Sequence, residues 1–100
     1  MANKNSNVSK ALFKTLKGFL RKKGAKKICV FGSHARGDAI PGSDIDVIVE
    51  FSRRKTLLDL VAIEQELSET LGVKVNLLTE KAISPYIIDK VKKEMLVIHG

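Results

Sequence analysis

The segment from Phe31 to Phe51 constrains the fold of this chain most, because one short loop joins two runs of strand-forming residues there. The first run, Ile28 to Phe31, contains β-branched residues and is typical of a buried strand. In the second run, Asp44 to Phe51, apolar residues alternate with a period of two, which is typical of a strand. Turn-favouring residues divide the loop between the two runs, namely Gly37, Pro41 and Gly42. We therefore predict two strands that lie close together.

Two other segments show the apolar spacing of amphipathic helices. The apolar positions of the first helix are Val8, Leu12, Leu16, Phe19 and Leu20. We expect Ser6 or Asn7 to cap this helix and Gly24 to end it. The apolar positions of the second helix are Leu57, Leu60, Ile63, Leu67 and Leu71, and Gly72 is expected to close it.

The remaining segments complete an alternating order of helices and strands. A short helix is predicted over residues 33–36, a strand over Val73 to Thr79 and a last strand over Met95 to Ile98. Ser84 and Pro85 favour the start of a third helix between those two strands. The predicted order is α-β-β-α-β-α-β, which gives an α/β (α+β) fold with a mixed sheet of three or four strands and three packed helices. We expect one domain over residues 1–100, with residues 1–6 flexible.

Composition narrows the functional classes. The net charge of +7 favours anionic partners such as nucleotides, nucleic acids or acidic proteins, although lysines on a solvated surface give the same excess. Cys29 is the only cysteine, so the chain can form no internal disulfide and lacks the ligands of a Cys/His zinc site. A buried core thiol is expected, in keeping with a reducing cytoplasm. We expect neither a signal peptide nor a membrane span, since no apolar run is long enough.

Two carboxylates begin the second predicted strand. Asp44 and Asp46 are two residues apart, so both point to the same side of a strand. Adjacent carboxylates repel each other, and a divalent cation removes that conflict. Mg²⁺ prefers oxygen ligands and commonly takes one or two carboxylates together with substrate phosphates. The alternative is that Asp44 caps a turn and Asp46 is simply exposed near the end of the strand.

A possible phosphate-binding turn follows the first predicted strand. Gly32 lets the backbone approach a ligand closely, and the amide and hydroxyl groups from Ser33 onward are suited to phosphate oxygens. Arg36 lies three residues further on and has a guanidinium group that suits phosphate. An ordinary strand–helix turn with a capping serine would show the same residues.

Taken together, the two patterns resemble a known signature. Gly32-Ser33-x-Ala35-Arg36-Gly37-Asp38, followed by Ser43-Asp44-Ile45-Asp46, is similar to the motif of the DNA polymerase β-like nucleotidyltransferases, and most of all to their minimal, MNT-type branch. The resemblance implies that Asp44 and Asp46 are catalytic and hold two Mg²⁺ ions. It implies triphosphate contacts from Gly32, Ser33, Arg36 and Ser43. A nucleoside monophosphate would pass from ATP or another NTP to a hydroxyl acceptor, with release of pyrophosphate. We expect a structural role for Asp38, as a partner of Arg36.

The chain departs from this family at one expected position. A later strand usually supplies a third carboxylate, and Asn76 stands in its place here. An amide oxygen can bind a metal, but it carries no charge and cannot act as a general base. Glu50 and Glu80 are each four residues from the nearest site position, roughly 13 Å along a strand. Three outcomes remain open: a slow enzyme, a nucleotide binder without turnover, and an enzyme whose acceptor supplies the base.

The resemblance also implies a partner. Minimal members of the family resemble the antitoxin half of a toxin–antitoxin pair, in which a HEPN-type protein is the acceptor. The alternatives are a catalytically weak or inactive antitoxin subunit that binds nucleotide and partner, and a nucleic-acid-binding module. The last is not favoured, because the basic runs lack interleaved aromatic residues. We expect His34 to be an exposed loop residue, His99 to fray and Tyr86 to pack against the core.

Overall fold

The computed structural model of the protein describes residues 4–37, 39–40 and 42–100. The elements are helix α1 (Lys4–Lys22), strand β1 (Ala25–Phe31), helix α2 (Ser33–Arg36), strand β2 (Ile45–Phe51), helix α3 (Leu57–Leu71), strand β3 (Val75–Leu78), a 3-10 turn (Glu80–Ala82), helix α4 (Ile88–Glu94) and strand β4 (Leu96–His99). The predicted fold class and order of elements are confirmed. Among the described residues, no helix is both long and apolar enough to cross a bilayer.

The four strands form one mixed sheet in the order β3-β2-β1-β4. Strand β1 runs antiparallel to both β2 and β4, whereas β2 and β3 are parallel. The register aligns Phe31 with Asp46 across the antiparallel pair and Asp46 with Asn76 across the parallel pair. Asp46 therefore lies between the end of β1 and the middle of β3.

Side chains that alternate along the strands build two apolar clusters, one on each face of the sheet. Helices α1 and α3 cover the first face, where Leu16, Leu20, Ile63 and Leu67 pack on Ile28, Val30, Ile45, Val47, Val49, Val75 and Leu77. Ile83 and helix α4 cover part of the second face, where the buried members are Cys29, Ile48, Ile83 and Val91. Each fully buried Leu, Ile or Val contributes about 1.5–3 kcal/mol, so the first cluster dominates the stability. Along β2 and β3, Asp46 and Asn76 alternate with members of the first cluster, so their side chains lie on the second face of the sheet.

Helix α3 is fixed at both ends and along its length. Thr56 and Asp59 form a reciprocal capping box, and Gly72 ends the helix in the left-handed conformation. Two side chains of α3 accept hydrogen bonds from edge strand β3. The Val75 amide donates to Ser68 Oγ at 2.9 Å, and the Leu77 amide donates to Glu64 Oε2 at 2.7 Å. These bonds satisfy the backbone amides of Val75 and Leu77, the two residues that flank Asn76 in the edge strand.

The ends of two helices differ from the sequence prediction. Helix α1 begins at Lys4, so Ser6 and Asn7 lie inside the helix and not at the position before its first residue. Residues 4–6 of the segment predicted to be flexible are helical, and residues 1–3 lie outside the described part of the chain. Helix α4 begins at Ile88 because residues 84–87 form a separate turn, in which the Ser84 carbonyl accepts from the amides of Ile87 and Ile88.

Three single-residue predictions were wrong. His34 is buried, with 6% of its surface exposed. His99 pairs with Ile28 as the last residue of β4, so it belongs to the sheet. Tyr86 is 96% exposed because the turn before α4 holds it away from the core.

Candidate functional site

The end of β1 brings backbone directly against a carboxylate. Gly32 follows β1 with φ 76° and ψ −150°, a conformation that is essentially restricted to glycine. A Cβ atom added at Gly32 would lie 2.7 Å from Asp46 Oδ2. Both the backbone conformation and the space therefore require glycine at this position.

The second oxygen of the same carboxylate is also held. Asn76 Nδ2 donates a hydrogen bond of 2.9 Å to Asp46 Oδ1. Both side chains are half-buried, and the parallel register places the two residues side by side. Asn76 thus presents the nitrogen of its amide to Asp46, and it acts here as a donor that fixes the orientation of the carboxylate.

The second carboxylate of the motif has a different environment. Asp44 lies just before β2 and is exposed. Among the described residues, no cluster of three or more His, Cys, Asp or Glu side chains could hold a metal ion. An oxygen-donor pair of one fixed and one exposed carboxylate suits Mg²⁺, which takes few protein ligands and completes its shell with phosphates and water. The same pair lacks the nitrogen and sulfur donors that zinc sites use.

The turn after Gly32 forms helix α2. The Gly32 carbonyl accepts hydrogen bonds from the amides of Ala35 and Arg36 at 3.1 and 3.0 Å. Within the described part of the chain, no hydrogen bond is found for the amide or hydroxyl of Ser33. The first polar groups after the Gly32 turn are therefore available to a ligand.

Ser43 and His34 organise the loop that leads to Asp44. Ser43 Oγ accepts from the Ile40 amide at 2.9 Å, so its hydroxyl closes a turn. His34 Nε2 lies 3.3 Å from the Ser43 carbonyl, and its ring meets Phe13 edge-on at 6.4 Å. Because a carbonyl only accepts hydrogen bonds, Nε2 must carry the proton. His34 thereby ties the turn after β1 to the loop before β2.

Arg36 points towards the end of helix α4. Its Nη1 atom lies 3.6 Å from Glu94 Oε2, and both side chains are partly exposed. Exposed ion pairs of this kind contribute little to stability. The predicted partner Asp38 lies outside the described residues.

The structure thus joins some of the predicted site residues and separates others. Asn76 is hydrogen-bonded to Asp46, and Gly32 lies close to the other carboxylate oxygen of Asp46; we call these three residues the carboxylate cradle. Arg36 also forms an ion pair with Glu94 of α4, and the Ser43 hydroxyl closes a turn within its own loop. Sequence reasoning missed the contribution of His34. Its place in the variable slot of the phosphate-turn motif, between Ser33 and Ala35, was the available signal.

Residues 13–98 match the family model of the nucleotidyltransferase domain, and they include the carboxylate cradle and both motif carboxylates. The chain belongs to this family, and the nucleotidyltransferase class predicted from the sequence is confirmed.

Relatives of similar length narrow the subgroup. The chain is 45% identical over 75 residues to an inferred protein adenylyltransferase of Methanocaldococcus jannaschii, covering 75% of this chain and 81% of that protein. It is 33% identical over 75 residues to the protein adenylyltransferase MntA of Thermococcus cleftensis, covering 75% of this chain and 76% of that protein. The minimal, MNT-type branch that the sequence indicated is therefore the group to which the chain is similar.

Solved structures share the fold. A toxin–antitoxin complex with AMP-PNP superposes with a TM-score of 0.78 at 22% identity, covering 88% of this chain and 73% of the other. The complex of a tri-AMPylated HEPN toxin with its MNT antitoxin from Shewanella oneidensis gives a TM-score of 0.74 at 19% identity, covering 92% of this chain and 72% of the other. At these identities the likeness establishes the fold alone.

Proposed function

We propose that this protein is a Mg²⁺-dependent adenylyltransferase that moves AMP from ATP to a hydroxyl group of a HEPN-type partner protein, as the antitoxin of a toxin–antitoxin pair. The observation that carries the proposal is the carboxylate cradle, in which the turn expected to contact phosphate lies directly against the expected metal carboxylate. Support for the donor and the acceptor comes from relatives described as protein adenylyltransferases and from the AMP-PNP and AMPylated-toxin complexes.

The chain's own groups divide the work of such a transfer. Asp46, oriented by Asn76 and by the Gly32 backbone, and the exposed Asp44 would hold two Mg²⁺ ions. The ions would neutralise charge on the triphosphate and on the departing pyrophosphate. The Gly32–Ser33 turn would bind phosphate oxygens, and Arg36 would exchange Glu94 for a phosphate. The acceptor hydroxyl attacks the α-phosphorus, and the bond to pyrophosphate breaks.

This chain differs from its family in the group that is available to take the proton of the acceptor hydroxyl. Asn76 stands where a third carboxylate is usual, and its amide cannot take a proton. In the proposed reaction, the proton leaves to a base on the partner protein or to solvent. Catalysis by the enzyme then rests on positioning and charge neutralisation, which dominate phosphoryl transfer in general.

The second candidate is an antitoxin subunit that binds nucleotide and partner but turns over slowly or not at all. The hydrogen bond from Asn76 Nδ2 favours it, since this contact turns the amide nitrogen towards the place where a metal would need an oxygen. Both candidates place the protein in the cytoplasm with ATP and Mg²⁺. They differ in whether label moves from ATP to the partner.

The test is transfer of α-labelled AMP in the presence of Mg²⁺ and a HEPN-type partner encoded beside this protein. We expect the partner to become labelled, and we expect Asp44→Asn and Asp46→Asn to reduce labelling by roughly a hundredfold or more. Asp89→Asn is the matched control, because Asp89 is exposed on helix α4 and lies outside the motif. Absence of labelling by the wild-type protein, together with a tight complex that both motif variants retain, would favour the second candidate.

A further inference from the structure

A second site lies on the same face of the sheet as Asp46 but at the other end of β2. It is a cavity of about 580 Å³ between β1, β2, the segment after β2, the 3-10 turn and α4, with Leu60 of α3 also among the lining residues, and none of the described motif residues lines it. Its floor is apolar and includes Cys29 and Ile48, which belong to the second core cluster. Ile48 is two residues from Asp46, about 7 Å along the strand, and Glu50 is about 13 Å away. We call this site the basic cavity.

Charge is the distinguishing property of the basic cavity. Six basic side chains line it among the described residues, namely Lys27, Arg53, Arg54, Lys55, Lys81 and Lys92. The lining carboxylates are Glu50 and Glu80, which leaves an excess of four positive charges, six minus two. Such a concentration of one sign in a concave site attracts anions.

The two carboxylates are already neutralised by lysines. Glu80 Oε1 lies 2.9 Å from Lys92 Nζ, and this contact lowers the pKa of Glu80. Glu50 Oε2 lies 3.8 Å from Lys26 Nζ, outside the cavity. For Arg53, Arg54 and Lys81, no ion pair is found within the part of the chain that the structure describes. Their charges are therefore available to a ligand.

The walls indicate a peptide rather than a nucleic acid. Phe51 is the one aromatic residue among the lining residues, but its side chain packs against the first core cluster, and Lys55 Nζ already lies 5.5 Å from the centre of its ring. Stacking platforms for bases are thus lacking. The Val49 side chain packs in the first core cluster, so the backbone of Val49 is what reaches the cavity. Pairing of β3 ends where Leu78 meets Ile48, which leaves the β2 edge without a strand partner from Val49 onward among the described residues.

We propose that the basic cavity binds an acidic, extended segment of the acceptor protein. The inference rests on the proposed function for the identity of that protein. Acidic side chains of the segment would meet the cations at the rim, apolar ones would contact the floor, and its main chain would lie along the open edge of β2. About four to five extended residues span the distance from Glu50 to Asp46, so the acidic residues would be that far from the acceptor hydroxyl.

The first arm of the test needs no partner protein. The probe is a fluorescein-labelled octapeptide that alternates Glu with Leu, and the comparison probes are the same peptide with Gln for Glu and an eight-residue oligo-dT. Anisotropy gives the Kd at low and moderate salt. We expect the Glu peptide to bind most tightly, and the double variant Arg53→Glu/Arg54→Glu to raise its Kd by roughly tenfold or more, because two attractions become repulsions.

A matched double variant controls for net charge. Lys10 and Lys14 are exposed on α1, and neither lines the cavity, so Lys10→Glu/Lys14→Glu makes the same change in charge elsewhere. We expect it to leave the Kd of the Glu peptide within about twofold. Lys81→Glu is the second cavity variant if the first is poorly folded by circular dichroism. Equal losses in cavity and control variants, or tighter binding of oligo-dT than of the Glu peptide, would overturn the inference.

The second arm uses the HEPN-type partner and labelled ATP. We expect Arg53→Glu/Arg54→Glu to raise the KM for the partner several-fold with kcat nearly unchanged, because these residues do not touch the reacting atoms. An unchanged KM would overturn the assignment of the acceptor segment to this cavity. If the wild-type protein transfers no label at all, the proposed function fails, and the peptide arm alone decides whether the basic cavity recognises acidic segments.

Discussion

The two ends of strand β2 present different solutions to binding a charged ligand on one face of the same sheet. At the first end, the Asp46 carboxylate accepts a hydrogen bond from the Asn76 amide and lies so close to Gly32 that a Cβ atom there would be 2.7 Å from Oδ2. At the other end, long basic side chains surround the basic cavity with few fixed partners. The first arrangement specifies atomic positions, whereas the second specifies only the sign of a charge.

This difference corresponds to two physical requirements. Transfer of a phosphoryl group depends on reacting atoms that are held to within a fraction of an ångström. Recognition of a flexible segment depends on charge and contact area, which long side chains provide without a fixed geometry. Substitutions at the carboxylate cradle should therefore change the rate of transfer, and those at the basic cavity should change affinity for the partner.

The largest effect is expected for Gly32→Ala. The added methyl group would meet Asp46 Oδ2 at 2.7 Å, and alanine tolerates φ 76° with ψ −150° poorly. We expect transfer of AMP to fall by about a hundredfold and the free energy of unfolding to fall by about 1–3 kcal/mol. Labelling assays and urea denaturation measure the two effects.

Gly18→Ala is the matched control for that substitution. Gly18 lies within helix α1, and a Cβ there meets nothing within 4 Å. Alanine at this position should stabilise the protein by about 0.5–1 kcal/mol and leave the rate of transfer unchanged. Wild-type transfer by Gly32→Ala would show that the close approach of Gly32 to Asp46 has no catalytic importance.

The next effect is expected for Asn76→Ala, which removes the donor to Asp46 Oδ1. A hydrogen bond to a charged group contributes about 1.5–3 kcal/mol. If it orients the carboxylate for transfer, kcat should fall about tenfold or more. The KM for the partner should stay constant, because Asn76 does not line the basic cavity. A raised KM with constant kcat would remove the distinction between the two ends of β2.

Asn76→Asp tests the same contact by placing a second negative charge beside Asp46. Two carboxylates would then face each other where the 2.9 Å hydrogen bond now lies, and they would repel without a cation. We expect a lower melting temperature without Mg²⁺ and a larger gain on adding Mg²⁺ than in the wild type. The control is Gln65→Glu, which adds a carboxylate at an exposed position of α3. Identical Mg²⁺ responses in both variants would argue against a metal site beside Asp46.

A smaller effect is expected from the contact that holds β3 to helix α3. Ser68→Ala removes the acceptor of the Val75 amide, and an unsatisfied, partly buried donor costs about 1–3 kcal/mol. Thr70→Ala in the same helix removes an exposed hydroxyl that bonds only to its own helix, and it should change stability by less than about 0.5 kcal/mol. Urea denaturation of both variants measures the difference. Equal stabilities would mean that water satisfies Val75 in the variant.

Periodicity and turn chemistry in the sequence were sufficient for much of the fold. Helix α3 spans Leu57–Leu71 as predicted, because its apolar spacing is regular and Gly72 ends it. The contact of Asp46 with Asn76 follows from two strands that the resemblance places side by side. The helix is predictable because it depends on residues close together in sequence, whereas Asp46 and Asn76 are 30 positions apart and their contact was expected only through the resemblance.

Features that depend on distant residues could not be predicted. His34 is buried and its ring meets Phe13 of α1 edge-on, and nothing next to His34 in the sequence indicates this contact. The basic cavity draws its cations from separate segments, each of which has the composition of a solvated surface. They line one cavity only because β3 stops opposite Ile48 while β2 continues to Phe51.

The smallest effect concerns the capping box of α3, which lies away from the carboxylate cradle. Hydrogen bonds from the backbone and the side chain of Thr56 lower the pKa of Asp59. A lowered pKa in the folded state means that the stabilisation is present above the ordinary Asp range, near pH 4, and is lost as the pH falls below it. Asp59→Ala should therefore be less stable than the wild type at pH 6, and the difference should shrink as the pH falls through the folded-state pKa of Asp59, as measured by urea denaturation. The rate of AMP transfer at pH 7 should be the same in both proteins, because Asp59 lies in the first turn of α3, whereas the amides of β3 donate to Glu64 and Ser68 further along the helix. A reduced rate would mean that the start of α3 also positions the site, and the contrast between the two ends of β2 would then have to include this helix.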